Sequence, residues 1–210
     1  MTEPSQAPVV IIGSGLAGYA VAREFRKRDK STPLLILSRD HGGFYSKPML
    51  SNALAANKTA ASLLMKTAAT MATELNASVR GHVAVQQLDT AAQRLTLEGG
   101  EVIVYRDVVL ALGADPIRLP LAGDAVDRVL SVNDLDDYAR FALALEGVGG
   151  SGHEGAERVA ILGGGLIGCE FANDLLARDV APTVLDVADR PLSRLLRRRL
   201  RPSLSRSRSW

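Results

Sequence analysis

Three observations on this sequence predict an α/β fold in three layers, a parallel sheet carrying an antiparallel insert. First, short apolar runs, "VVII" at 9–12 and "VAIL" at 159–162, are of the kind that parallel sheets bury on both faces. Second, each runs into a glycine-rich turn and then a segment with apolar residues at helical spacing, "GSGLAGYAVAREF" and "GGGLIGCEFANDL". Third, between residues 78 and 105 apolar and polar residues alternate, the period of half-buried antiparallel strands. The two strand–turn–helix units are the sole internal repeat.

The elements follow in order. "VVII" is a strand, and "YAVAREFRKRDK" places Ala20, Phe25 and their neighbours at helical spacing with a charged outer face. "PLLILS" (33–38) is a second strand and closes a β-α-β unit. "RDHGGFYSKPMLSNAL" is a loop dense in Gly, Pro and Ser that turns into a short helix, and the Ala-rich stretch 59–76 is expected to be helical. "VAVQQLD" and "RLTLEGGEVIVY" form the antiparallel strands, with "EGGE" as a hairpin turn. "DVVLALGADPIRLP" is expected to be another buried strand, and "NDLDDYARFALALEG" an amphipathic helix opened by a capping residue. "GVGGSGHEG" is a linker, because its glycines favour neither helix nor strand. Beyond the second glycine turn come a helix over 165–178 and the strand "TVLD" (183–186).

Composition narrows the function. With 47% hydrophobic and 23% charged residues among 210, the chain is an ordinary globular one, and no apolar run reaches the roughly 18 residues of a membrane helix. "MTEPSQAP" has neither a basic region nor an apolar stretch before a cleavage site, so no secretory signal and a cytoplasmic location are expected. Six of the 25 basic residues are arginines of 197–210; without them 19 basic residues face 23 acidic ones, a net charge of −4. A basic groove for nucleic acid is therefore not expected. The one cysteine, Cys169, excludes an internal disulfide and a C-x-x-C redox pair, and reads as a small core residue on a helix. His41, His82 and His153 are scattered, which suits satisfied structural roles; no metal site and no nucleophile–base constellation is expected.

The glycine turns carry the chemistry. Gly13 and Gly163 permit a tight turn off the strand, Gly15 and Gly165 let backbone approach a pyrophosphate, and Gly18 and Gly168 allow close helix–strand packing. Leu166 and Ile167 complete the second turn. A pyrophosphate there meets unpaired N–H groups and the positive end of the helix dipole. Two such turns, each after a buried strand and before a helix, predict two dinucleotide sites of the Rossmann kind. In the second unit Asp186 ends the next strand, 18 residues after Gly168, which favours the ribose 2′-hydroxyl of NADH over the 2′-phosphate of NADPH. Two alternatives stand beside it: Asp186 caps the strand only, or nearby Arg190 admits NADPH. The matching places in the first unit are Ser38 and Arg39, with Asp40 beyond, an imperfect NAD site that suits a differently held dinucleotide, FAD.

From "VVIIGSGLAGYAVAREFRK" through "YSKPMLSNAL", "VVLALGADPIRLPLAGDA" and "NDLDDYARF" to "VAILGGGLIGCEFANDL", the chain resembles the rubredoxin–NAD reductases, flavoproteins of the pyridine-nucleotide-disulfide oxidoreductase class. The resemblance covers about residues 8–196, and "YSKPMLS" and "GGGLIGCEFANDL" are its most specific parts. It implies FAD on the first unit and NADH on the second, with electrons leaving singly to rubredoxin; the chemistry is the flavin's, and no side chain is expected to be catalytic. By position, Ser14, Gly15, Leu16 and Ala17 would cradle the FAD pyrophosphate, and Ser38 and Arg39 would flank its adenosine ribose. Lys47, next to Pro48, would reach a flavin-side phosphate or ring edge. Val85 would meet the adenine through its backbone, and Ala111 to Gly113 would form a small-residue turn beside the cofactor. Glu170 would face the flavin and nicotinamide; the alternative is a plain helix-surface glutamate. Related ferredoxin reductases have a lysine where this chain has Asn52, so a lysine–acid pair is not expected there.

Members of the resembled family are longer, and their flavin domain is completed by a later segment whose Gly-Asp holds the ribityl side. Gly123–Asp124 is a false match to it. The expected organisation is the N-terminal part of a flavin domain over 1–146, a linker over 147–157, the start of an incomplete nicotinamide domain over 158–196, and an Arg/Ser-rich tail over 197–210, disordered or frameshifted. A basic arm for RNA or membranes is the rival reading of the tail. Three functions stay open: a truncated rubredoxin reductase, a non-catalytic remnant that at most binds a dinucleotide, and a ferredoxin reductase or NADH oxidase of the same class.

Overall fold

In the computed structural model the described residues are 6–146 and 159–195, so the linker and the tail lie outside them. The described residues divide into two compact units, 6–47 with 64–119, and 48–63 with 120–146 and 159–195.

The first unit is built on a parallel sheet of β1 (Val9–Ile12), β2 (Leu34–Leu37), β3 (Ser78–Arg80) and β7 (Asp107–Leu110) in the order β3-β2-β1-β7. β1 lies in register with β2 from Val9↔Leu34 to Ile12↔Leu37. Its alternating side chains serve two cores. Val9 and Ile11 pack with Tyr19, Ala22, Leu34, Ile36, Met71 and Leu75, where α1 (Leu16–Arg28) and α3 (Ala68–Leu75) cover one face. Val10 and Ile12 pack with Leu37, Leu95, Leu97 and Tyr105 on the other face, against the antiparallel sheet of β4 (Val85–Asp89), β5 (Arg94–Leu97) and β6 (Val102–Val104). Burial on both faces is what the unbroken apolar run requires. The expected three layers are therefore present, and "EGGE" makes the β5–β6 turn, with the Leu97 N–H donating to the Glu101 carbonyl at 2.8 Å.

Three expectations are corrected. The stretch 59–76 is not one helix. It breaks into α2 (Ala60–Leu63) and α3 because Lys66 pairs with Phe44, whose N–H donates to the Lys66 carbonyl at 2.8 Å. Thr67 then starts α3 as its N-cap, accepting from the Thr70 N–H at 3.1 Å. β7 is a strand but not a buried one: it pairs with β1 alone, and Leu110 stays 57% exposed. Cys169 is half-buried rather than a core residue, its thiol directed at the Gly164 carbonyl.

Arg26 closes the first unit's helical layer. It is 7% exposed, and its guanidinium donates to the carbonyls of Leu75 at 2.5 Å and Asn76 at 2.7 Å, the orphan acceptors at the end of α3.

The second unit joins β8 (Val159–Leu162) and β9 (Pro182–Leu185) in parallel, with α5 (Leu166–Leu176) between them. Its strands are half-exposed, Leu162 at 43% and Leu185 at 53%, so "VAIL" is not buried on both faces as expected. α4 (Leu135–Glu146) opens as predicted. Asp134 accepts from the Asp137 N–H at 2.8 Å, and Asp137 accepts from the Asn133 N–H at 2.8 Å, a reciprocal cap. α4 lies in this unit, where Phe141 meets Phe171 of α5 edge-on at 5.5 Å between ring centres.

Candidate dinucleotide-binding site

Each glycine turn has the backbone its role demands. Gly13 and Gly163 sit at φ +113° and +114°, the region that L side chains avoid. A Cβ on Gly18 or Gly168 would run into the carbonyl of Gly13 or Gly163, so only hydrogen lets helix and turn approach. Gly15 and Gly165 are different. Both are N-caps with ordinary φ (−67° and −74°), and a Cβ there would meet nothing of the chain within 4 Å. The space over each is open, neither helix start has a side-chain cap, and neither first turn holds an acid. The donors of Leu16 to Gly18 and of Leu166 to Gly168 are thus placed for an anion. These cradles fit a dinucleotide pyrophosphate.

Around the first turn the structure gathers residues distant in sequence. The Ser14 and Ser38 hydroxyls lie 2.7 Å apart, both buried. Asp40 accepts from Ser38 at 2.6 Å, Ser14 at 3.2 Å and the Gly42 N–H at 2.8 Å. Asp40 is the hub of this network, a role that its place two residues after Ser38 does not show by itself. Val83 donates to the Ser38 carbonyl at 2.8 Å, which brings the start of β4, Val85, to the same end of the sheet. Ala111 donates to the Ile12 carbonyl at 2.8 Å and its own carbonyl abuts Gly13, while Gly113 turns the chain at φ +69°. Arg39 pairs with Asp115 at 2.8 Å. That hydrogen bond, with the nearby charges of Arg39 and Lys47, holds the exposed Asp115 carboxyl below its usual range. Lys47 ends the first unit at the start of a 3₁₀ turn, and Pro48 begins the second unit. His41 accepts from the Gly43 N–H through Nδ1 at 2.9 Å, a structural role; His153 lies outside the described residues.

In the second unit Asp186 follows β9 and is exposed. Its carboxylate accepts from the Ala188 N–H at 2.7 Å and from the Gly164 N–H. Those two backbone donors, in that order, lower its pKa and keep it charged. Burial, then the charge of Asp186, raises the neighbouring Cys169 thiol. Glu170, on α5, accepts the Ser51 hydroxyl at 2.6 Å. Ser51 and Asp174, which accepts the N–H groups of Leu54 and Ala55, were not singled out from the sequence; their signal was the four-residue step from Glu170 to Asp174. Among the described residues no cluster of metal-ligating side chains is present.

A parallel strand, a glycine turn with an open cradle, and a helix, occurring twice, define a dinucleotide-binding α/β protein. The chain belongs to the pyridine nucleotide-disulphide oxidoreductase family, whose model it matches over residues 7–208. It is 50% identical over 168 residues to a rubredoxin-NAD(+) reductase of Alcanivorax borkumensis, an alignment covering 80% of this chain and 42% of that protein. It is 44% identical over 192 residues to one from Acinetobacter baylyi, covering 90% and 47%. The putidaredoxin reductase of a covalent complex with putidaredoxin superposes with a TM-score of 0.74 at 28% identity, covering 92% of this chain and 45% of that one. The chain thus spans less than half the length of these relatives.

Proposed function

We propose that this chain serves FAD-dependent electron transfer from NADH to rubredoxin or a similar small iron–sulfur carrier, with FAD on the first glycine turn and NADH on the second. The observation that carries this reading is the contrast between two otherwise matching cradles. Beside the first, buried Ser14 and Ser38 are knitted to a half-buried Asp40, which suits a resident dinucleotide. Beside the second, an exposed, charged Asp186 ends the strand, which suits an exchanging nucleotide with free ribose hydroxyls and repels a 2′-phosphate. The relatives' names support the carrier.

FAD held on the first turn would supply the redox chemistry, that of accepting a hydride and donating single electrons. The chain's own residues bind and orient. The backbone of Ser14 to Gly18 holds one pyrophosphate and that of Gly165 to Gly168 the other. Ser38 and Arg39 flank the adenosine ribose, Val85 presents its backbone to the adenine, and Ala111 and Gly113 keep the chain slim where it passes the cofactor. Lys47 and Pro48 serve the flavin side, and Glu170 faces the flavin and the nicotinamide. The cytoplasm is the proposed location; no helix among the described residues is long and apolar enough to cross a membrane.

One observation favours a second reading, dinucleotide binding without turnover: among the described residues the second unit's sheet has two strands, few for a stable core. Reconstitution with FAD separates the two. Flavin absorbance that survives gel filtration and bleaches with NADH supports the reductase, with rubredoxin, ferredoxin and oxygen compared as acceptors. A flavin-bearing protein that does not bleach supports the second reading, and a colourless eluate refutes FAD on the first turn.

A further inference from the structure

Residues 48–63 interrupt the first unit in chain order and pack with the second. Their polar anchors come from one row on α5 and the turn after it. Glu170, Asp174 and Arg178 stand four residues apart, so helical periodicity stacks them. Along that row the segment is held in chain order. The Ser51 hydroxyl donates to Glu170 Oε2 at 2.6 Å, and the N–H groups of Leu54 and Ala55 donate to the two oxygens of Asp174 at 2.9 and 2.8 Å. Arg178 then donates to Asn57 Oδ1 at 3.0 Å. From α4, the Tyr138 hydroxyl donates to the Lys58 carbonyl at 2.9 Å.

Asp174 differs from Glu170 and Arg178 in being 1% exposed. A carboxylate at such depth is costly unless its oxygens are partnered, and an apolar side chain would fill the place without that cost. What the carboxylate adds is register. Two consecutive backbone donors can be met in one alignment of the segment on α5, and charge-assisted bonds make that alignment stiff. Ser51 lies three residues before Leu54, and Glu170 one turn before Asp174, so the same alignment sets the hydroxyl on the Glu170 carboxylate. Glu170 in turn stands two residues past Gly168.

We propose that Asp174 is a positioning residue: by fixing the Leu54–Ala55 turn on α5 it holds the Ser51 hydroxyl against Glu170 and so orients the carboxylate beside the second glycine turn. Its consequence for NADH rests on the function proposed above; the positioning itself does not.

The test uses the isotopically labelled full chain and two readouts free of any nucleotide. In Asp174→Asn the amides of Leu54 and Ala55 are expected to exchange at least about tenfold faster. The Glu170 side-chain carboxyl ¹³C resonance is expected to move to where Ser51→Ala puts it. Faster exchange with an unmoved Glu170 resonance would make Asp174 a structural anchor only and overturn the proposal, as would unchanged exchange. Should Asp174→Asn fail to fold, Asp174→Glu keeps the charge but shifts it by one methylene, and the same pair of changes is expected. An NADH titration then probes the consequence: Asp174→Asn weakens binding, and the double variant with Ser51→Ala is no weaker than Ser51→Ala alone. A wild-type chain that binds no NADH would refute the assigned function, while exchange and resonance still decide Asp174.

Discussion

Replacing Gly15 by alanine should separate binding from folding. The residue sits at φ −67° and ψ −173°, which alanine adopts freely, and its Cβ would meet no atom of the chain within 4 Å. The fold changes little: the reduced freedom of the unfolded chain adds about 0.4–1 kcal/mol, and the poorer fit of alanine than glycine at an N-cap offsets it by a similar amount. The melting temperature is therefore expected to stay within about 4 °C of the wild type. The open space, however, is where the pyrophosphate backs onto the helix. A methyl there acts as overpacking, costing about 1–3 kcal/mol, or roughly 5–150-fold in Kd for FAD. Gly18→Ala is the control with the opposite signature. Its Cβ would meet the backbone of Gly13, so the turn must open and stability itself falls. Melting without cofactor, and FAD binding followed by quenching of flavin fluorescence, read the two effects separately. Undiminished FAD affinity in a folded Gly15→Ala would refute the assignment of that space to a phosphate.

Three further outcomes are expected. Arg26→Met leaves the carbonyls of Leu75 and Asn76 without their donors and should lower stability by roughly 2–4 kcal/mol, read as an earlier urea midpoint with an unchanged slope. The Asp29 carboxylate accepts the Thr32 hydroxyl and the N–H groups of Thr32 and Ser31, which pull its pKa down to about 2. A depressed folded-state value means stability present above the unfolded pKa, about 3.9, and lost as pH falls through about 2, so Asp29→Asn should flatten acid unfolding across that window. Asp186→Ala should weaken NADH and narrow its advantage over NADPH in paired titrations; unchanged affinities together with tighter wild-type NADPH binding would remove Asp186 from the ribose site.

Local pattern made much of this protein legible. The apolar runs at 9–12 and 34–37 read as strands, the glycines at 13 and 163 as tight turns, and "EGGE" and the start of "NDLDDYARF" as a hairpin and a helix start. All of these depend on residues within one or two turns of each other, where sterics and hydrogen bonding decide. The break at Lys66 was not legible, because its cause is a pairing with Phe44 that no local propensity encodes. The exposure of Leu110 follows from strand order, β7 having one partner, whereas its sequence is that of a buried strand.

The cradles, then, were written in the sequence, since a glycine turn between strand and helix is a local device. Their surroundings were decided by tertiary structure. Ser14 meets Ser38 and Asp40, and Glu170 and Asp174 meet Ser51, Leu54 and Ala55, across 24 to 120 positions of chain. Such partners are chosen by which elements pack and in which register. A buried carboxylate is spaced like any helix residue in the sequence, and only the packed structure shows which backbone donors meet its charge.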